Sequence, residues 1–363
     1  MKIIIDAIND NEQIRGPDRY LISLLRGLAR IDIDNQFVVF YAHWQTFFDE
    51  LDLPSNFRFI RVTPPRHRIP RVIWHAIWFY RLTLAQQPDI IHLPNIIYVR
   101  GLNKPTLMTV HDVAHFTHPE KFGLFRGYLQ RWLIHGAVHQ VDHLLAVSDH
   151  TKDQIQHYLS VVSERITVVE EGGPEPLDIV HTEPTKYFLY VGQIEHSKNI
   201  ESAILAFAQS KQLHDQEVEF WLAGRPGNAA PQVTKLINSL KNPHIRLLGY
   251  VDESKLPSLY ANALGFVFPS LVEGFGLVLL EAMAYGTPII ASSASVIPQV
   301  VGDAGIIVDA TNLDALQQAL ESVESDTALR ASLIKSGRER LKNFSWEQAA
   351  HLTNNLYHKL ADE

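Results

Sequence analysis

The sequence contains no cysteine, which excludes disulfide bonds and metal sites built on thiolates. It has no excess of positive charge: the formal net charge is -8, which argues against a general affinity for nucleic acid. It also has no apolar run long enough to cross a bilayer, and the N-terminal run ends at Asp6, too early for the core of a signal peptide. These absences predict a cytoplasmic protein.

Internal repeats of fixed short period and low-complexity tracts are absent as well. A chain of 363 residues is too long to fold around a single hydrophobic core of ordinary size, so we expect two domains of similar size. Apolar residues make up 46% of the chain and charged residues 20%, which is the profile of a globular protein in water.

Short β-branched or aromatic runs alternate with helical periodicity along the whole chain. Helical periodicity is clear at 20–28 and 129–138, for example. Strands are predicted at 3–5, 38–41, 57–62, 90–93, 106–110, 144–147, 167–169, 187–191, 218–223, 245–248, 265–268, 288–291 and 306–308. This alternation predicts parallel sheets with helices on both faces, that is, a doubly wound α/β fold.

Glycine and proline mark a boundary near the middle of the chain, in 172–176 and again in 181–184. We therefore predict an N-terminal domain at 1–178, a C-terminal domain at 179–345, and a final helix at 346–363 that packs back towards the first domain. Ligands of such sheets bind at the carboxyl ends of the strands, so we expect the chemistry in a cleft between the domains.

The most informative motif follows the strand predicted at 265–268. Glu273–Leu277 is rich in glycine and leads into a helix that carries Glu281 and ends at Gly286. The glycines allow backbone N–H groups at a helix N-terminus to approach an anionic ligand. Seven residues separate the two glutamates, one in the loop and one inside the helix. At about 1.5 Å per helical residue plus the loop, they would lie roughly 10 Å apart, as suits two ends of one extended ligand.

The whole run, Glu273–Leu277, Glu281–Ala284, Gly286 and Pro288, closely resembles the donor-binding motif of the retaining glycosyltransferases of family 4, which have the GT-B fold. The resemblance implies that Glu273 holds hydroxyls of the donor sugar and that Glu281 holds the ribose of the nucleotide. It also implies contacts to the sugar and diphosphate from Gly274, Phe275, Gly276 and Leu277. The alternative is an exposed helix glutamate beside glycines that only shape a turn.

Two further segments agree with this resemblance in order and spacing. Lys198 precedes the helix at 200–209, where its charge and the free N–H groups could together hold a diphosphate. Gly192 is a predicted substrate contact. The family usually has an arginine after this glycine, whereas Gln193 stands here, and Arg225 is the candidate to replace it as a substrate contact. A lysine and an arginine that are merely solvated are the alternatives.

The stretch Leu248–Val251, followed by Leu256 and Tyr260, resembles the family's base-binding strand and loop. In the family, backbone groups pair with the nucleobase and an aromatic ring covers its face. The resemblance implies base contacts for Tyr250, Val251 and Leu256. Backbone pairing leaves little trace in side chains, so uracil and guanine both stay open.

The first domain is expected to supply the acceptor side. Pro17 fits the first helical position, which leaves Gly16 free to approach phosphate or acceptor, with Arg19 as a further substrate contact. His111 directly follows the strand predicted at 106–110 and therefore lies at the carboxyl edge of the sheet. The family's equivalent histidine touches the donor sugar, so the resemblance implies a catalytic role for His111 beside Lys198 and Glu273.

The resemblance implies retention of configuration by attack on the face from which the diphosphate leaves, with the leaving phosphate taking the acceptor's proton. A retaining hydrolase would need two carboxylates about 5 Å apart, and the motifs offer no such pair. We predict no metal and no cofactor. Asp32-Ile33-Asp34 is interpreted as a turn between elements, and no pair of histidines at i, i+4 has a supporting glutamate.

The predicted function is transfer of a hexose from a nucleotide sugar, with UDP-glucose first and GDP-mannose as the alternative. The acceptor would be a saccharide or a lipid-linked saccharide in polysaccharide or glycolipid biosynthesis. A dinucleotide-dependent oxidoreductase would need a Gly-x-Gly-x-x-Gly run after the first strand of either half, and neither half has one. A non-catalytic nucleotide-sugar-binding protein on the same fold stays open, and a turnover assay distinguishes it.

One stretch departs from the acidic character of the chain. Between Asp52 and Asp89 there is no acidic residue but there are six arginines, and Arg66–Arg81 also carries several aromatic residues. A basic aromatic helix of this kind can lie on an anionic membrane, which would place the protein peripherally at the inner face. The other interpretation is that the aromatic side chains pack in a core while the arginines are solvated.

Overall fold

A computed structural model of the chain describes residues 1–66, 71, 73–97, 101, 103–117, 124–177 and 186–362. The chain divides into two compact units: unit 1 comprises Met1–Gly172 and Trp346–Glu363, and unit 2 comprises Gly173–Ser345. The domain boundary expected after residue 178 and the second breaker run at 181–184 fall outside the described residues.

Unit 1 is built on a parallel sheet of seven strands in the order β3-β2-β1-β4-β5-β6-β7. The strands are β1 (Lys2–Asp6), β2 (Gln36–Ala42), β3 (Phe57–Val62), β4 (Ile90–Leu93), β5 (Thr106–Val110), β6 (His143–Ala146) and β7 (Ile166–Val168). The order runs outward in both directions from β1 and β4, so the topological switch point lies between these two paired strands. Ile3, Ile4 and Ile5 are all fully buried, because a parallel strand covered on both faces has no solvent side.

The helices of unit 1 that follow these strands are α1 (Gly16–Ile31), α2 (Tyr80–Ala85), α3 (Ala114–Thr117), α4 (Leu124–Gln140) and α5 (Asp149–Leu159). A single π-helical turn, His75–Phe79, leads directly into α2. Ser148, which follows β6, caps α5: its hydroxyl accepts a hydrogen bond from the backbone N–H of Thr151 at 3.1 Å. A serine is favoured at this position because its hydroxyl caps the helix N-terminus.

Unit 2 repeats the topology with six parallel strands in the order β10-β9-β8-β11-β12-β13. The strands are β8 (Tyr187–Val191), β9 (Glu219–Ala223), β10 (Ile245–Gly249), β11 (Gly265–Phe268), β12 (Ile289–Ser292) and β13 (Gly305–Val308). The helices are α6 (Ile200–Gln209), α7 (Lys211–Asp215), α8 (Ala230–Leu240), α9 (Leu256–Asn262), α10 (Leu277–Ala284), α11 (Ile297–Val301), α12 (Leu313–Ser325) and α13 (Thr327–Leu341). Here the switch point lies between β8 and β11, which also pair directly.

The last helix, α14 (Trp346–Asp362), belongs to unit 1 and packs against α1. A Cβ at Gly27 of α1 would lie 2.7 Å from the carbonyl oxygen of Trp346 and 3.0 Å from Cβ of Ala350, so the close approach requires glycine. On the sheet side, the hydroxyl of Tyr357 lies 2.7 Å from Nδ1 of His92 on β4. These contacts tie the end of the chain to its beginning.

The predicted fold class, two doubly wound parallel α/β sheets, is confirmed. Every predicted strand is present with bounds within two residues of those expected, whereas the helix expected at 129–138 is longer, Leu124–Gln140. In the basic aromatic stretch, Phe79 is fully buried, as the interpretation of a packed core predicts. Trp78 is 52% exposed, as the interpretation of a membrane-facing surface predicts. Arg68 of that stretch lies outside the described residues. Within the described ranges, no helix has the length and apolar character needed to span a membrane.

Candidate functional site

The glycine-rich loop of unit 2 connects β11 to α10 and ends in a left-handed residue. Gly276 is the N-cap of α10 with φ +104°, a conformation that L-residues with a side chain rarely adopt. No side chain in the described part of the chain caps this helix, and its first turn contains no acidic residue. The partial positive charge of the helix N-terminus is therefore not neutralised by α10 itself, and it favours an anionic ligand.

Lys198 and Glu273 form an ion pair at the switch point of unit 2. Lys198 follows β8 in a short turn (His196–Lys198), Glu273 follows β11, and the lysine Nζ lies 2.6 Å from Oε1 of Glu273. The side chains are 22% and 12% exposed, so the pair is only partly accessible. Since β8 and β11 are neighbours, their carboxyl ends bring a cation and a carboxylate together where open α/β sheets bind ligands.

Serine side chains fix the loop that carries Glu273. The backbone N–H of Glu273 donates to Oγ of Ser295 at 3.2 Å, and the Ser295 hydroxyl donates to the carbonyl oxygen of Glu273 at 2.7 Å. Ser270 donates to the carbonyl oxygen of Ser197 at 3.2 Å, which joins this loop to the turn before Lys198. Ser295 is a contributor that the sequence reasoning missed, because nothing in its own segment marks it as a partner of residue 273.

Glu281 is oriented by a buried tyrosine. The hydroxyl of Tyr260, on α9, donates to Oε2 of Glu281 on α10 at 2.9 Å, and Tyr260 is fully buried. Tyr260 falls in the predicted base-binding loop, but its role as a hydrogen-bond donor to this carboxylate was not foreseen. Leu256, at the start of α9, is 6% exposed and packs inside the unit.

The ends of β8 and β9 approach each other through glycines. A Cβ at Gly224 would lie 1.7 Å from the carbonyl oxygen of Gly192, so this contact admits no side chain. Beyond it, the guanidinium of Arg225 lies over the ring of Tyr250 at 4.5 Å, and its Nη2 is buried without a hydrogen-bond partner among the described residues. Tyr250 is 42% exposed and Val251 is half-buried. Arg225 thus lies beside the predicted base-binding aromatic ring.

In unit 1, each ring nitrogen of His111 lies close to an oxygen atom that can accept a hydrogen bond. Nε2 donates to the carbonyl oxygen of Pro94 at 3.0 Å, and Nδ1 lies 3.4 Å from Oε1 of Glu171. The edge of the Tyr20 ring packs against the imidazole with 4.7 Å between ring centroids. Glu171, 4% exposed, was missed as a partner. Its position just after β7, at the same sheet edge as His111, is the signal that could have found it.

Gly16 and Arg19 lie in the first turn of α1. Among the described residues no atom lies within 4 Å of a Cβ built at Gly16, so packing against them does not require a glycine there. The loop before it is held by Asp18, whose carboxylate accepts from the side chains of Asn9 at 2.6 Å and Asn11 at 2.7 Å. Burial raises the pKa of Asp18, although these hydrogen bonds oppose the shift.

The structure therefore brings together Lys198 with Glu273, Glu281 with Tyr260, and Arg225 with Tyr250, all in unit 2. His111, Gly16 and Arg19 belong to unit 1. Among the described residues, no group of three or more histidine, aspartate or glutamate side chains is arranged to hold a metal ion. Asp32 and Asp34 lie in the turn between α1 and β2, where Oδ1 of Asp32 accepts from the backbone N–H groups of Asp34 and Asn35.

Comparison with known proteins finds a glycosyltransferase family model for each of the two units. The family model "Glycosyltransferase Family 4" matches residues 14–172, and "Glycosyl transferases group 1" matches residues 177–340. O-antigen chain mannosyltransferase B of Escherichia coli is 28% identical over 98% of this chain and 99% of its own length. O-antigen chain mannosyltransferase RfbU of Salmonella typhimurium is 30% identical over 60% of each chain. The solved sucrose-phosphate synthase from Thermosynechococcus elongatus superposes with a TM-score of 0.81 at 21% identity, covering 99% of this chain and 98% of that one.

Proposed function

The chain belongs to glycosyltransferase family 4, and from that premise we propose that it transfers a hexose from a nucleotide sugar to a saccharide acceptor with retention of configuration. The family, the GT-B fold and the class of enzyme expected from the sequence are confirmed by the two family models and the structural neighbours. The observation that carries the proposal is the Lys198–Glu273 pair, which places one cation and one carboxylate at the switch point of unit 2 beside the open N-terminus of α10.

The proposed donor lies along this edge of unit 2. Glu273 accepts hydrogen bonds from sugar hydroxyls, while Lys198 and the N–H groups at the start of α10 neutralise the diphosphate. Glu281, held by Tyr260, binds the ribose, and Tyr250 with Arg225 covers the base. The leaving phosphate takes the acceptor's proton, so the protein contributes positioning and charge stabilisation. For His111 of unit 1, a contact with the donor sugar stays a prediction that the resemblance implies.

This arrangement needs no metal and no cofactor in the proposed mechanism. A divalent cation in other sugar transferases offsets the charge of the leaving diphosphate; here the Lys198 ammonium and the helix N-terminus are proposed to supply that positive potential. Removal of divalent cations by a chelator should therefore leave turnover unchanged, and loss of turnover that Mg²⁺ restores would contradict the proposal.

We rank a mannose donor, GDP-mannose, ahead of the UDP-glucose expected from the sequence. The support is that a relative matched over nearly its whole length, from Escherichia coli, is named a mannosyltransferase, as is the Salmonella relative. Relatives named for O-antigen chains also support a saccharide acceptor carried on a lipid, in polysaccharide or lipopolysaccharide assembly. UDP-glucose stays a prediction and belongs in the same assay.

A lipid-linked acceptor is compatible with peripheral membrane contact through the Arg66–Arg81 stretch. Within its described part, Ile77 and Trp78 are 45% and 52% exposed, and the Arg81 guanidinium lies over the Trp78 ring at 5.4 Å. An aromatic ring and an arginine that face water together suit the headgroup region of an anionic membrane. Trp78→Ala should reduce co-sedimentation with anionic vesicles, and unchanged sedimentation would remove this part of the proposal.

The experiment that tests the function measures release of nucleoside diphosphate from GDP-mannose and from UDP-glucose, with and without a saccharide acceptor. We expect one donor to be consumed and Glu273→Gln to abolish most of its consumption, with Glu164→Gln, an exposed glutamate of unit 1, as the matched control. Binding of a nucleotide sugar without consumption under any condition would instead identify the chain as a non-catalytic binding protein.

A further inference from the structure

The backbone at Ser295, in the loop between β12 and α11, has a conformation that serine rarely adopts: its φ is +60°. Among the described residues, six residues other than glycine have a positive φ. Five of them come within two residues after a helical segment, where the left-handed conformation commonly ends a helix: Gln87, Ser160, Asn199, Glu217 and Lys241. Ser295 comes after a strand instead, so helix termination does not account for its conformation.

The hydroxyl of Ser295 binds both backbone polar groups of Glu273. Its Oγ accepts from the N–H of Glu273 at 3.2 Å and donates to the carbonyl oxygen of the same residue at 2.7 Å. These two groups lie on either side of the Glu273 Cα, so bonds to both fix the direction of its Cα–Cβ bond. One hydroxyl can make both bonds because it is a donor and an acceptor at once.

The direction of the Glu273 side chain matters because it leaves from a loop. Its Oε1 lies 2.6 Å from Nζ of Lys198, and that distance depends on the path of the backbone at residue 273. The loop is tied two residues earlier, where the backbone N–H of Leu271 donates to the carbonyl oxygen of Ser197 at 2.8 Å. The serine hydroxyl ties it at Glu273 itself.

The backbone strain and the hydroxyl contacts at position 295 point to one explanation. A glycine would adopt the positive φ without strain, but it has no hydroxyl to offer Glu273. A side chain held in a disfavoured backbone conformation is typical of functional sites, where the surrounding structure imposes the conformation. Here that side chain contacts the residue to which the proposed function assigns the donor sugar.

We propose that Ser295 is a positioning residue for glycosyl transfer: it holds Glu273 in the orientation in which the carboxylate meets the donor sugar. The inference rests on the proposed function and adds to it a residue of the loop after β12, outside the glycine-rich motif. It predicts that turnover depends on the hydroxyl of Ser295, whereas stability depends on the backbone conformation as well.

The first test compares two variants that both lack the hydroxyl. Ser295→Gly relieves the backbone strain and Ser295→Ala does not, so the glycine variant should melt about 2–4 °C above the alanine variant. Turnover, measured as release of nucleoside diphosphate from the donor, should nevertheless fall about 10- to 100-fold in both, because Glu273 loses its orientation. Wild-type turnover in Ser295→Gly, with or without loss in Ser295→Ala, would overturn the proposal.

Ser160 supplies the matched control. It also has a positive φ, +54°, but it is exposed and ends α5 in unit 1. Ser160→Gly should melt above Ser160→Ala by a similar amount, about 2–4 °C, while turnover in both stays within about twofold of the wild type. If Ser160→Gly lowers turnover as much as Ser295→Gly does, the effect is not specific to Glu273 and the proposal fails.

A positioning residue acts only through the group that it holds. In a Glu273→Gln background, Ser295→Ala should therefore lower the remaining turnover by less than about twofold. The same 10- to 100-fold loss in both backgrounds would overturn the role, because Ser295 would then act independently of the Glu273 carboxylate.

The last test measures binding without turnover, by calorimetry. Ser295→Ala should weaken binding of GDP-mannose or UDP-glucose about fivefold more than binding of GDP or UDP, because only the sugar is proposed to meet Glu273. Equal weakening of nucleotide sugar and nucleoside diphosphate would overturn the positioning role. If the wild type binds a nucleotide sugar and never consumes it, the proposed function fails, while a loss confined to the nucleotide sugar still supports the role of Ser295.

Discussion

Separating the Lys198–Glu273 pair should reveal two distinct roles for its members. The perturbation is a double-mutant cycle of Lys198→Met, Glu273→Gln and the double variant. Nζ and Oε1 are 2.6 Å apart, and both side chains are less than one quarter exposed. A hydrogen bond between charged groups contributes about 1.5–3 kcal/mol where it is well shielded, and partial exposure places this one at the lower end.

In urea unfolding, the double variant should therefore be less destabilised than the sum of the single variants by about 1–2 kcal/mol. Nucleotide binding, measured by calorimetry with GDP and UDP, should separate the roles. Lys198→Met removes the cation proposed for the diphosphate and should weaken binding about 10- to 100-fold. Glu273→Gln should leave nucleotide affinity within about threefold yet lower turnover about 100-fold or more, because its proposed partner is the sugar.

Two results would refute this reasoning. If Lys198→Met binds nucleotide as tightly as the wild type, the lysine serves only to neutralise the carboxylate. If Glu273→Gln weakens nucleotide binding as much as Lys198→Met does, the two residues do not contact different parts of the donor.

Three further predictions follow from the described contacts. Tyr260→Phe removes the hydroxyl that donates a hydrogen bond to Glu281, and it should weaken nucleotide binding about 10-fold with little change in turnover at saturating nucleotide sugar. Unaltered nucleotide affinity would show that this hydrogen bond does not orient the glutamate. Gly224→Ala would place a Cβ 1.7 Å from a backbone carbonyl oxygen and should lower the free energy of unfolding by about 1–3 kcal/mol. The control Gly16→Ala, with open space around the new Cβ, should leave the free energy of unfolding unchanged or slightly higher. Equal stabilities of the two variants in urea unfolding would contradict the close approach. Burial, with a smaller effect of the nearby His111, lowers the pKa of His92 to about 3. Because the unfolded chain binds that proton below about 6.5, the wild type should lose up to about 1.4 kcal/mol per pH unit between about pH 6 and 3 relative to His92→Gln, and parallel pH profiles would exclude a buried neutral histidine.

The fold was predictable because the central strands are short apolar runs buried on both faces, whereas the edge strands β3 and β10 are partly exposed. Runs such as Ile3–Ile5 need no partner information to be recognised, since a parallel strand between two helical layers has no polar side. The close approach at Gly192, where the chain leaves β8, was not predicted, because it depends on the path of a second segment. The glycine that this contact requires is Gly224, just after the neighbouring strand β9, where a Cβ would lie 1.7 Å from the carbonyl oxygen of Gly192.

The contacts that orient the site were harder to predict, because they join segments far apart in sequence. Glu171 lies 60 positions beyond His111 in the sequence, and Tyr260 and Glu281, which share a hydrogen bond, are 21 positions apart. The Asp6–His75 pair is a stronger example: Asp6 reads only as the end of a strand, and His75 is one residue in an aromatic stretch. Their meeting depends on the path of the chain between β3 and β4, which periodicity does not describe.

The most direct test of glycosyl transfer with retention follows the anomeric signals of one reaction by NMR. Purified protein is incubated with GDP-α-D-mannose, or with UDP-α-D-glucose in parallel, and a lipid-linked or octyl glycoside acceptor, and the donor and the new glycosidic linkage are observed together. The account predicts that one donor is consumed, that its nucleoside diphosphate is released, and that the product carries an α-linkage. A β-linked product, or a donor that binds and is never consumed, would contradict it.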